Sequence, residues 1–437
     1  MTRRTTRAKV ALVALLFLII GSTSEASYQR PVSVWSNTLS VHPAAFHYSQ
    51  SENLLYVLGH NPERIVSLKP EDGSIVDEVD VGSVTGLLSV RNVAIREGDN
   101  AMEYAILTVE TGMDGTDGST ASRLVCWDFA SRMPSWEFNV TSTGMSLPSA
   151  GNAAWSDDGQ VFYQHFARGE VYAFNTMTGE VLWKKKFLPM AGWTYLNGFL
   201  YGGILTEVGG SSISPGIYQI NAQTGAYVSF YRTPNLCFEQ GSTFLAPSGR
   251  ATQQRAAEAN CNNIWSNSVP SKSGEFLYVM DDLFGLMKLN ASDISAGPVW
   301  SNAFARDNDW KSQQTYFSPV VSPDDRVVYA SAYWTTVAID ALDGATIWTL
   351  PQESRWLTGA MVLSPYGDSI FLPYNFSVHK IDASSGAVEF ATDPSLLSRL
   401  VTVNEGANLF FTVGVGVEAY ESQIVAPVIV VNGATGS

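Results

Sequence analysis

Apolar and polar residues alternate in short runs along most of this chain, and one five-residue turn keeps interrupting the runs. Asn175 leads to Gly179, Asn221 to Gly225, Asp340 to Gly344 and Asp382 to Gly386, with Lys69 to Gly73 a fainter copy. An Asn or Asp side chain can accept hydrogen bonds from backbone amides two residues on, which starts a turn. Glycine then takes the positive φ that closes it without a Cβ penalty. The residue before each turn is apolar (Phe174, Ile220, Ile339, Ile381, Leu68), and Tyr172, Val337 and Val66 stand two places earlier still. That alternation is a half-buried strand. His379 breaks it in its own copy. Eight positions after the turn opens there is often a tryptophan: Trp136 after Asp128, Trp183 after Asn175 and Trp348 after Asp340, with Phe390 after Asp382. Each unit therefore predicts strand, tight turn, strand, with the tryptophan on the second strand.

A second signal lies upstream. A serine is followed seven positions later by Tyr or Phe, as in Ser49 to Tyr56, Ser156 to Tyr163, Ser271 to Tyr278, Ser322 to Tyr329 and Ser364 to Phe371. Polar or glycine residues and then two apolar ones fill the interval, which predicts a turn feeding another strand. Eight candidate units follow, each four-stranded, with a period in the forties. This predicts an all-β fold, a β-propeller of seven or eight four-stranded blades. The unit at 101–138 is degenerate, so the count stays open between the two. A sandwich would show fewer strands and no such period. The last unit lacks the turn-and-tryptophan pattern before Ile424–Val431, and Val32–Trp35 is placed to supply its missing outer strand. The ring is thus expected to close through N- and C-terminal strands, which removes exposed edges.

The ends change the picture only in compartment. Arg3, Arg4, Arg7 and Lys9 precede an apolar run from Val10 to Ile20, then small residues at Ser24 and Ala26. This reads as a secretory signal peptide over 1–26, cleaved after Ala26, with a retained signal anchor as the other reading. Residues 27–437 then form a single propeller domain with an insertion at about 232–267. The expected location is secreted or extracellular, with no integral membrane association after cleavage. The net charge of −15 argues against nucleic acid, which needs a basic stripe. A monomer is expected.

Of the three cysteines, Cys126 sits in a predicted strand and reads as a buried thiol, while Cys237 and Cys261 flank the insertion and are candidates for a disulfide in an oxidising compartment. Asn139, Asn290 and Asn375 open N-x-S/T sequons, all in predicted turns, and are candidate glycosylation sites. The histidines at 42, 47, 60, 165 and 379 form no zinc-binding spacing. Asp114 with Asp117, and Asp307 with Asp309, match no complete calcium loop and read as solvated loops. The insertion is the longest break in the period. It carries Arg250, Arg255 and Trp265, and binding is expected there if anywhere.

The pattern apolar-Asn/Asp-x-x-Thr/Asp-Gly-x-x-x-Trp, clearest in Phe174–Trp183 and Ile339–Trp348, resembles the repeat of pyrroloquinoline-quinone (PQQ) propellers. The resemblance spans about residues 50 to 420. It implies that Trp136, Trp183, Trp300 and Trp348 dock one blade on the next, although Trp300 follows Gly297 by three positions rather than four. The family has a dehydrogenase branch, which uses PQQ and calcium, and a non-catalytic branch that includes a bacterial outer-membrane assembly scaffold. The vicinal cysteine pair and the C-x-x-C-H haem motif found in many of the dehydrogenases are missing from this sequence. The favoured expectation is a non-catalytic binding or scaffold propeller with a protein or glycan ligand and no cofactor, catalytic residue or metal. A PQQ- and calcium-dependent dehydrogenase of alcohols or sugars is the alternative, and a glycan-binding or glycan-cleaving propeller the third.

Overall fold

The computed structural model describes residues 33–432 apart from several connecting stretches, the longest being 83–88, 114–119, 141–152, 205–215, 233–267, 305–317, 353–358 and 415–425. The described strands form eight four-stranded antiparallel sheets. Sheet 1 contains His42–Ser49, Leu54–His60, Arg64–Leu68 and Ile75–Asp80. Sheet 2 runs from Ser89 to Val140, sheet 3 from Ala153 to Lys186, sheet 4 from Met190 to Arg232, and sheet 5 from Val269 to Asn302. Sheet 6 runs from Val320 to Pro351 and sheet 7 from Val362 to Ala391. Sheet 8 combines Ser398–Val403, Leu409–Gly414 and Ala426–Asn432 with the N-terminal strand Ser33–Leu39. That strand lies antiparallel on Ala426–Asn432, with Trp35 opposite Val430. The fold is an all-β propeller. No described helix is long and apolar enough to cross a membrane.

Both sequence signals close turns at one end of the sheets. Asn175 Oδ1 accepts from the amides of Met177 and Thr178, each at 3.0 Å, and the Gly179 amide reaches back to the Asn175 carbonyl at 2.8 Å. Gly179, Gly225, Gly344 and Gly386 all have φ between 65° and 79°. The serines of the second signal act similarly. Ser156, Ser271, Ser322 and Ser364 Oγ accept from the amide five residues on, at 2.9 to 3.1 Å.

Each strand after an Asn/Asp-to-Gly turn contains a β-bulge that is invisible in the sequence pattern. Ala173 pairs with Trp183 but Phe174 pairs with Val181, leaving Leu182 unpaired. The same shift leaves out Val76, Ser135, Val228, Val299, Ile347 and Glu389 in the other sheets. A bulge bends the strand and re-aims the next side chain. It also blunts an outer edge that would otherwise invite strand pairing.

The re-aimed side chain is the tryptophan. Nε1 of Trp136, Trp183 and Trp348 donates to the carbonyls of Thr176, Ala222 and Ala383 in the next sheet, at 2.7 to 2.9 Å. Trp300 reaches Ala341 at 3.2 Å. Every acceptor is the residue just after a turn-opening Asn or Asp. The indole rings lie against the turn glycines so closely that a Cβ on Gly179, Gly225, Gly344 or Gly386 would stand 2.6 to 2.8 Å from a ring carbon. Glycine is therefore required twice at each turn, by φ and by the neighbouring ring.

Among the described residues, sheet 7 carries Phe390 at the docking position, and two further seams depart from this rule and are compensated. Sheet 4 has Ser229 at the docking position. The carbonyl of Ala291 in sheet 5 is satisfied instead by Tyr201 Oη at 2.8 Å and Gln219 Nε2 at 3.1 Å. Sheet 1 has Asp77 at the docking position and sheet 2 has Arg132, at φ 58°, where the glycine would be. Arg132 Nη2 meets Asp77 Oδ2 at 3.0 Å, so an exposed ion pair replaces the tryptophan–glycine contact. Such pairs contribute ~1 kcal/mol or less. Replacing both residues by the repeat pattern (Asp77→Trp with Arg132→Gly) is expected to raise the melting temperature, Asp77→Trp alone to lower it, and Arg132→Gly alone to change it little, because relief of the left-handed strain offsets the lost ion pair. Scanning calorimetry of the three variants checks this, and equal effects for single and double changes would contradict it.

Six described hydrophobic clusters lie between successive sheets from 1 to 7. The core is thus a series of seams rather than one centre, as stacked repeats require.

Candidate functional site

The chemistry-bearing residues of the repeat lie in these seams. Trp136, Trp183, Trp300 and Trp348 each join two sheets. Cys126 is a free, fully buried thiol whose pKa burial raises to about 12, too high for a nucleophile at neutral pH. Asn290 is exposed at the turn-opening position, and its Oδ1 accepts from the Ser292 amide and hydroxyl. Asn139 is also exposed but lies within the outer strand Met133–Val140, a correction to the turn expected there. Asn139 is paired with Arg123 in the ladder, which commits its backbone to the sheet. Asn375, Cys237, Cys261, Arg250, Arg255, Trp265 and the Asp114/Asp117 and Asp307/Asp309 loops lie outside the described residues. Among the described residues no group of three His, Cys, Asp or Glu side chains is arranged to hold a metal.

The first strand of each of sheets 3 to 7 lies at the edge opposite the strand with the docking position, the inner edge in a propeller. In sheets 3, 5, 6 and 7 these strands read Ala153–Trp155, Val269–Pro270, Val320–Val321 and Val362–Leu363. In sheet 4 the strand is Met190–Leu196. None carries a carboxylate. Paired carboxylates of the kind that hydrolyse glycosidic bonds are therefore missing from these five inner strands.

His165 is the most unusual buried polar group. It is 1% exposed, neither ring nitrogen has a partner among the described residues, and its ring meets Trp193 edge-on at 6.4 Å. Burial lowers its pKa from 6.5 to about 4. It is thus neutral at pH 7.

One cleft, of about 500 Å³, opens between sheets 6 and 7. Ser322, Pro323 and Asp324 of one serine turn form one side, and Tyr366, Gly367 and Asp368 of the next form the other. Asp382, Ala383 and Ser384 of the Asp-to-Gly turn, Ile347 of the bulge, Val327 and Tyr329 complete it. Asp324 and Asp382 are held below the usual carboxylate range by hydrogen bonds from Ser322 in the first case and from Ser384 and Ser385 in the second. Both are charged at neutral pH and poor general acids. Tyr329 is only 3% exposed, and its hydroxyl makes no hydrogen bond among the described residues. Burial first, and then the nearby charges of Asp324 and Asp382, push its pKa up to about 12. Tyr366 stands 70% exposed at the rim. The sequence places Asp382 and Ser364 as turn residues but gives no signal for the cleft, because its walls come from separate repeats.

The sequence profile of the family described as "Outer membrane protein assembly factor BamB" matches residues 29–185 and 241–402. Among solved structures, BamB from Moraxella catarrhalis is similar with a TM-score of 0.58 and 14% identity, over 92% of this chain and 99% of that one. The computationally designed protein Ika8 is similar with a TM-score of 0.60 and 11% identity, over 92% and 99%. At these identities the likeness shows the fold alone. No curated protein matches the chain.

Proposed function

We propose, from the premise that this chain belongs to the PQQ-repeat propeller family described as outer membrane protein assembly factor BamB, that it is a secreted, non-catalytic scaffold whose work is to bind another protein. The observation that carries this reading is the placement of the repeat residues. The Asn, Asp, Trp and Gly that could suggest cofactor chemistry are engaged in joining one sheet to the next. The carboxylates of the described cleft are hydrogen-bonded within their own turns, and those of Asp324 and Asp382 are held ionised, suited to attraction rather than proton transfer. We read the eight sheets as eight blades of one ring, closed where Ser33–Leu39 lies on Ala426–Asn432. A ring of this kind offers a rigid platform with loops at its rims. A signal peptide cleaved after Ala26, a Cys237–Cys261 disulfide and glycans on the exposed Asn139 and Asn290 belong to the same proposal.

Production in a secreting eukaryotic host tests it. The protein is expected in the culture medium, beginning at Ser27. With PQQ and calcium added, neither a quinone absorbance change nor dye reduction with alcohols or sugars is expected. Quinone-dependent turnover would overturn the scaffold reading in favour of a dehydrogenase, and retention of the chain inside the cell would overturn secretion.

A further inference from the structure

We propose that the cleft between sheets 6 and 7 is a recognition pocket for an arginine side chain presented by a partner protein. The inference rests on the scaffold reading and names the partner chemistry. Three observations converge on it. Asp324, Asp368 and Asp382 line one cavity of about 500 Å³ whose lining includes no Lys or Arg; the exposed Arg326 meets Asp324 Oδ2 at 3.6 Å, which leaves Asp368 and Asp382 as the carboxylates without a cation. Each carboxylate has one oxygen tied to its own turn: Asp324 by Ser322, Asp368 by Ser364 and Asp382 by Ser384 and Ser385. The second oxygens of Asp368 and Asp382 carry no hydrogen bond among the described residues. Independently of these charges, Tyr329, whose side chain is almost wholly buried, presents to the cavity a hydroxyl with no hydrogen bond among the described residues.

The Tyr329 hydroxyl reaches this cavity and is free to take a partner there. Its oxygen can accept a hydrogen bond, as can the free carboxylate oxygens. The missing component is therefore a donor, positively charged, and narrow enough to enter. The apolar part of the lining selects among cations. Ile347 is about half exposed at the bulge, and Pro323, Val327 and Ala383 add aliphatic surface. A long aliphatic stem packs there while its charged head reaches the carboxylates. The 70% exposed Tyr366 ring at the rim suits a planar guanidinium, which stacks on aromatic faces and forks onto carboxylates. Lysine offers a point charge without the planar match. A bare divalent cation would find no group of three converging ligands here.

The repeat itself supplies a clean variant. Asn175 and Asn221 open the same turn that Asp382 opens, so Asp382→Asn removes charge and keeps the turn. The experiment uses the full secreted chain and blocked Gly-Arg-Gly tripeptide, with the lysine, citrulline and glutamate analogues, followed by saturation-transfer NMR. Arginine is expected to bind several-fold more tightly than lysine, and citrulline and glutamate not at all. Asp368→Asn with Asp382→Asn should weaken binding about tenfold, since charge-assisted bonds are the strong ones, and Tyr329→Phe by about threefold. Unchanged melting temperatures in these variants assign the losses to the pocket. Citrulline binding as well as arginine, or arginine binding untouched by the double variant, would overturn the proposal. So would calcium chloride displacing the peptide at micromolar concentration, which would assign the cleft to a metal. If no peptide binds while PQQ turnover also stays absent, this pocket is rejected and the scaffold reading stands.

Discussion

Replacing Gly386 by alanine is expected to destabilise the chain strongly, but only while Trp348 is present. Gly386 has φ 74°, and a Cβ there would stand 2.6 Å from Cδ2 and 2.7 Å from Cε3 of the Trp348 ring. A left-handed conformation costs a non-glycine residue ~1–2 kcal/mol. The ring contact adds more, because Trp348 is 9% exposed and tied by Nε1 to the Ala383 carbonyl at 2.9 Å. It can retreat only by breaking that bond. Trp348→Ala alone removes a large buried ring and should cost ~3–5 kcal/mol. In the Trp348→Ala background the glycine change should keep only its backbone strain. The two costs therefore fail to add, with a coupling of at least ~1 kcal/mol. Urea midpoints for the four proteins measure this. An identical Gly386→Ala penalty in both backgrounds would show that the ring does not dictate the glycine.

Acidification from pH 7 to pH 4 is expected to destabilise the seam between sheets 3 and 4 through His165. Its folded pKa is lowered, from 6.5 to about 4, with burial as the cause. The unfolded chain thus takes up this proton before the folded chain does. The contribution is fully present above pH 6.5, is lost progressively as pH falls, and is gone near pH 4. A depression of this size corresponds to about 3 kcal/mol. The lowered carboxylates, Asp72, Asp324 and Asp382, act at lower pH, below their ordinary 3.8. The histidine effect can therefore be separated. His165→Phe keeps a ring against Trp193 and removes this titration, so between pH 6.5 and 4 it should lose only part of what the parent loses, the remainder coming from His379, whose pKa burial also lowers to about 4. Parallel curves for the two proteins would rule out the role given to His165.

Groups whose partners lie within a few residues of them are legible in the sequence. Asn175, Asn221, Asp340 and Asp382 announce their turns because the hydrogen bonds they accept come from residues two or three places along the same chain. The serine turns are local in the same way. Trp193 carried no signal, although it is deeply buried, because it falls at no repeated offset. The bulges were silent too. A one-residue slip is a property of two paired strands, and a single strand's alternation cannot show it. The exchange of Asp77 and Arg132 for tryptophan and glycine illustrates the limit further. Each residue alone looks like decay of the repeat, and only their 3.0 Å contact shows one substitution answering the other.

The sequence by itself determined the repeat, the turn chemistry and, through them, the propeller. It could do so because a period in the forties with fixed offsets encodes contacts that lie within one unit or between adjacent ones. The tertiary structure alone decided which face of each outer strand meets its neighbour, which carbonyl each tryptophan satisfies, and that Asp324, Asp368, Asp382 and Tyr329 share one cleft. That cleft is made where two repeats meet, and a juxtaposition across a seam is set by packing between sheets, which no stretch of one strand records.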